Sequence, residues 1–137
     1  MESNITRYLF DANAIRRLSY ERISNKRNPN TTLETTSDIV VELGDRSTQK
    51  RSQLAVCIFD KSVYDKMSDL LAAHQKVRNL LDYYNNRGVG DIGIIAYALV
   101  ADEGKLMKDN TVLVTDDGGV IEACKDIGLN YVSTDEF

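Results

Sequence analysis

The chain has 137 residues, about one domain's length, and a formal net charge of −4. A hydrophobic fraction of 42% and a charged fraction of 28% suit an ordinary globular domain, and no apolar run reaches the roughly 18 residues a membrane span needs. Cys57 and Cys124 stand far apart with no CxxC, His74 is the one histidine, and Met1 to Tyr8 lacks an apolar signal core; disulfide scaffolds, zinc ribbons and histidine-rich metal sites are excluded, and a cytoplasmic location is expected.

Charge is uneven along the chain. Residues 1–60 carry nine Lys/Arg against eight Asp/Glu, and residues 61–137 carry eight against thirteen. Bulk acidity is not the footprint of a nucleic-acid binder, so any such role needs a local basic patch. Arg16, Arg17, Arg22, Lys26 and Arg27 supply the best one.

In chain order, "RYLF" reads as a strand ending at Asp11, followed by a helix from Asn13 whose apolar positions run through Ile23. "NKRNPN" is a loop. "TTLETT" is a short strand. Thr35 and Asp38 have capping-box spacing and open the helix "SDIVVELGD". Residues 45–52 read as a polar surface connection, and "LAVCIF" (54–59) as a buried strand. Ser62 and Asp65 repeat the capping spacing and open a helical stretch to about Tyr84, broken near His74. After "NNRGVG", Asp91 heads a helix closed by Gly104. "TVLVT" (111–115) is a strand, residues 119–127 a helix ended by Gly128, and "LNYV" a last strand. Unbroken apolar strands alternating with helices predict an α/β domain spanning 1–137, with a mainly parallel sheet of about five strands.

In such a sheet, ligands bind beyond the carboxyl ends of the strands. Asp11 and Asp117 sit at two such ends, and Glu42 and Asp91 lie on helices that can face them. Each has a plain reading too: Asp11 as a helix cap, Asp116 and Asp117 as a turn, Asp91 as an acid at a helix start, and Asp38, Glu42 and Asp45 as a solvated helix stripe. Converged, the four are an oxygen-only ligand set for a hard cation such as Mg²⁺ or Mn²⁺.

The ordered segments "YLFDANAI", "SDIVVELGD", "GVGDIGIIAYAL" and "VLVTDDGGVIEACKDIGL" resemble the PIN-domain ribonucleases over nearly the whole chain, most of all the VapC-type toxins. The resemblance implies a single-domain PIN-like α/β/α sandwich. It implies a metal-dependent endoribonuclease with Asp11, Glu42, Asp91 and Asp117 as catalytic, metal-binding acids, and Asp116 as an assisting one. Asn13 and Thr115 would orient water or substrate, and Arg16 or Arg17 would hold a flanking phosphate. It further implies an RNA substrate, a homodimer and an antitoxin partner. Where many relatives carry an extra acid before the third Asp, this chain has Arg87, Gly88, Val89 and Gly90. Two other readings are a ribosomal-RNA-processing PIN nuclease and a non-catalytic PIN-like scaffold. A haloacid-dehalogenase-type phosphatase needs an Asp where Asn13 stands, and "TDDGG" lacks the GK[ST] of a phosphate-binding P-loop.

Overall fold

The structure is a computed structural model in which residues 5–44, 48–81, 89–102 and 110–137 are described. Five strands, β1 (Thr6–Phe10), β2 (Thr31–Thr36), β3 (Ala55–Cys57), β4 (Asn110–Val114) and β5 (Asn130–Val132), form one sheet in the order β3-β2-β1-β4-β5. Every pairing is parallel. The chain winds outward from β1 in one direction and from β4 in the other, so the switch point lies between them.

Consecutive residues along the central strands point to opposite faces, and both faces are covered. Leu9 and Leu113 face a core built with α5 (Lys61–Ala73), α6 (Gln75–Arg78), α7 (Val89–Asp102) and α8 (Gly118–Ile127). Phe10 and Val114 face a second core built with α1 (Ala12–Arg17), α2 (Tyr20–Ser24) and α3 (Ser37–Leu43). Phe137 closes that core, edge-on to Tyr8 at 5.1 Å and to Phe10 at 5.2 Å.

Several local expectations are corrected. The helix expected from Asn13 through Ile23 is two, because Leu18 is extended and the Ser19 hydroxyl caps α2 by accepting from Arg22 N. Thr36, not Thr35, caps α3; the Thr35 hydroxyl instead donates to Phe10 O. Asp60, not Ser62, caps α5, and Ser62 donates to Asp60 at 2.7 Å. The polar connection contains a short helix, α4 (Thr48–Arg51). The expected strand 54–59 shrinks to three residues at the sheet edge, leaving Ile58 82% exposed. His74 does break the long helical stretch, sitting in extended backbone between α5 and α6. Gly128 ends α8 with φ 76°, a left-handed turn that suits glycine. The helical stretch expected to reach about Tyr84 ends earlier, at Arg78 with Asn79 as its C-cap, and the expected cap at Gly104 lies outside the described residues.

Gly93 is required by close approach. A β-carbon there would lie 2.7 Å from Phe59 Cε2 and 2.9 Å from Cζ, and that ring is stacked on Tyr97 and edge-on to Tyr64. Gly93→Ala gains helix propensity of about 1 kcal/mol but forces the ring to shift. The expected result is a net loss of about 1–2 kcal/mol in urea unfolding; a stabilised variant would show that the packing of α7 on Phe59 is loose.

Candidate active site

Parallel pairing of β1 with β4 aligns Phe10 with Val114, so the next residues of each strand emerge together at the switch point. Asp11 is 3% exposed and caps α1: its Oδ1 accepts from Ala14 N at 2.8 Å, and its Oδ2 accepts from the Thr115 hydroxyl at 2.5 Å. Asp117 caps α8, its Oδ1 accepting from Gly119 N and Val120 N at 2.9 and 3.1 Å. The Thr115 oxygen also accepts from Asp117 N at 3.1 Å. One buried hydroxyl thus ties the two strand ends together. The cap and site readings of Asp11 and Asp117 coexist in geometry: each carboxylate holds a helix start while standing at the switch point.

Asp91 lies in the first turn of α7. Its carboxyl is pushed up to about 7, first by burial and then by the charges of Asp11, Asp117 and Glu42. That dependence brings all four sequence-predicted acids into one electrostatic neighbourhood. Glu42 contributes from the exposed side of α3. Asp11 is also raised, again chiefly by burial and against its two hydrogen bonds. Among the described residues, no three His, Cys, Asp or Glu side chains lie close enough to hold a metal ion between them.

The oxygen-only donor set, and an Asp91 whose proton affinity is raised by burial and then by neighbouring acids, fit a hard divalent cation in donor type and charge. Mg²⁺ often binds through one or two carboxylates plus water and substrate phosphate, and needs no closed protein cage.

Asp116 adds its charge to those that raise Asp11, but its carboxylate is engaged by other partners. Its Oδ1 accepts from Thr134 N at 2.8 Å, and its Oδ2 from the Thr134 hydroxyl at 2.6 Å and Arg17 Nη1 at 2.9 Å. The Thr134 hydroxyl is the main cause holding its carboxyl below the ordinary range, with Arg17 assisting. These bonds make Asp116 a tether between the strand end, α1 and the last segment of the chain. Asn13 is exposed and accepts from Arg16 Nη1 at 3.0 Å. Asp38, from the stripe that reads as solvated, comes near α7, its Oδ2 3.8 Å from where a Gly93 β-carbon would sit, but it is not among the charges that raise Asp91.

No family model matches this sequence, and no curated protein matches it in sequence. The shape does have counterparts. A chain in the structure of VapBC-1 from nontypeable Haemophilus influenzae superposes with TM-score 0.57 at 15% identity, over 94% of this chain and 98% of that one. A chain in the structure of VapBC2 from Rickettsia felis, bound to a DNA fragment from its promoter, superposes with TM-score 0.57 at 16% identity, over 93% and 98%. The fold is a VapC-like PIN fold.

Asp91 supplies a pH signature. Its folded value near 7 stands above its ordinary 3.8, so the stability it favours is full below about pH 4 and is lost as pH rises through 7. In EDTA the melting temperature should therefore fall between pH 5 and pH 8, and Asp91→Asn should flatten the fall and melt higher at pH 8 by a few degrees. Parallel pH profiles for parent and variant would remove the mutual-repulsion picture.

Proposed function

We propose that this chain is a metal-dependent endoribonuclease of the VapC toxin kind, with its active site at the β1–β4 switch point. The observation that carries the reading is the raised Asp91 carboxyl, which feels acids from three other parts of the fold. The VapC-like PIN fold supports it.

Asp11, Glu42, Asp91 and Asp117 would hold Mg²⁺ or Mn²⁺, directly or through water. When bound, the ion supplies a nucleophilic water near neutral pH and offsets charge on the scissile phosphate. Thr115 fixes the Asp11 carboxylate and the Asp117 backbone, so both ligands are set before substrate arrives. Asn13 lies at the start of α1, beside Asp11, and orients water or substrate. Arg16 and Arg17, one helix length from Asp11, hold a flanking phosphate. The PIN resemblance implies hydrolysis that leaves a 5′-phosphate.

The non-catalytic scaffold reading draws on one observation, that no three acids of the described residues are close enough to grip an ion. Metal separates the two readings. Mn²⁺ should raise the melting temperature of the parent and much less that of Asp91→Asn. Cleavage of RNA in Mn²⁺ should fall at least about a hundredfold in Asp11→Asn or Asp91→Asn and vanish in EDTA. Cutting that persists in EDTA sinks the metal site; absence of both cutting and Mn²⁺ stabilisation favours the scaffold.

The neighbours' names, VapBC-1 and VapBC2, support an antitoxin-like protein partner as well. Val41 (79% exposed), Ile58 and Tyr64 (58%) present large apolar side chains that fit a homodimer or partner interface. A dimer mass by light scattering is the expected outcome for the isolated chain; a strict monomer at high concentration would leave those side chains to the partner alone.

A further inference from the structure

We infer that the outer face formed by α1, α2, α4 and the loop after α2 is a docking track for the phosphodiester backbone of single-stranded RNA, continuous with the acid site. The choice of RNA over other polyanions rests on the nuclease reading of that site. Residues 12–30 and 48–53 carry seven Lys/Arg against one acid, Glu21, in a chain whose net charge is −4.

Most of these cations are fixed in place without being neutralised. Arg22 Nη2 donates to Thr134 O at 2.9 Å, and Arg27 Nη2 to Gln53 O at 2.9 Å. Lys50 Nζ donates to Ile15 O and Arg16 O, both at 3.0 Å, capping the end of α1. Arg16 donates to the Asn13 amide oxygen, and Lys26 lies over the Phe137 ring at 5.0 Å. All these partners are uncharged. Among the described residues Arg17 alone of the seven pairs with a carboxylate, that of Asp116. Elsewhere Arg7 pairs with Glu34, Lys61 with Asp65, and Lys125 with Glu122, while Arg78 stands apart from the face but is likewise held by neutral oxygens, those of Leu71, Ala72 and Gln75.

The same hydrogen bonds make the face continuous. Lys50 joins α4 to α1, Arg27 reaches the segment after α4, and Arg17 joins α1 to Asp116, next to Asp117. From Asp11 at its cap to Arg17 at its end, α1 spans about 9 Å, so the track begins within reach of the acids. Tyr20 stands 46% exposed between Arg17 and Arg22 in the chain. An exposed ring on the helix that carries Arg22 offers a base-stacking surface, which an acidic peptide does not need. The fork of N–H donors on each guanidinium also suits phosphate oxygens.

The test is binding of a short fluorescent oligouridylate to the full chain in EDTA across a salt series. EDTA separates binding from cutting: a chain that binds but never cuts in Mn²⁺ loses the nuclease reading and keeps the track. Arg22→Gln with Arg27→Gln should weaken binding about tenfold or more and make the log–log salt slope shallower by about 0.7 for each phosphate no longer neutralised. Arg22→Lys with Arg27→Lys keeps the charge and should keep most of the slope, guarding against a fold defect, which circular dichroism checks. Tyr20→Ala should weaken binding with the slope unchanged. Unaltered affinity and slope in the double Gln variant overturn the proposal. So does poly-glutamate that binds as tightly as the RNA, which would make the face an acidic-protein site.

Discussion

Like charges brought together by strand pairing are the constraint on which the rest of this structure depends. Because β1 and β4 are neighbours in register, Asp11 and the Thr115–Asp117 turn leave the sheet side by side. Repulsion between them has to be offset locally. It is offset by N–H groups at two helix starts and by one buried hydroxyl. Capping and site formation are thus the same set of bonds, with the positive end of each helix dipole facing a carboxylate. Asp91, whose carboxyl sits near 7 under burial and three neighbouring charges, carries the residual repulsion.

Glu34 shows the other solution to a buried acid in the same sheet. Burial opposes its ionisation, but Thr32, Cys57 and Arg7 outweigh burial and hold its carboxyl below the ordinary range. Arg7 Nε lies 2.8 Å from it, and the Thr32 hydroxyl 2.6 Å. Glu34 is therefore a satisfied structural charge at the face of α7, while Asp91 is left in need of a counter-charge. That contrast separates a core ion pair from a cluster suited to a ligand.

The uneven charge of the chain acquires a spatial meaning in the fold. Acids gather at the switch point, and a run of cations held by neutral acceptors lies on the adjoining helices. Asp116 and Arg17 form the seam between the two regions, with Thr134 as the anchor. A net charge of −4 describes neither region.

The parallel α/β order, the five strands and the positions of Asp11, Glu42, Asp91 and Asp117 were legible in the sequence. They depend on apolar runs, turn residues and acids at strand ends, all set within a few residues of chain. What the sequence left open was decided by partners far along it. The helix after Asp11 divides at Leu18 where Ser19 provides a second cap, a choice between two local signals that packing settles. "LAVCIF" looked like a core strand, yet it lies at the sheet edge, and an apolar run does not record how many neighbours it will have. Asp116 looked like part of the acid pair beside Asp117, but its carboxylate turns to Thr134 and to Arg17, 99 residues away. Periodicity carries local hydrogen bonding and the buried face of an element; strand order and the pairing of distant charges arise only when loops close and the sheet brings those residues within a few ångströms.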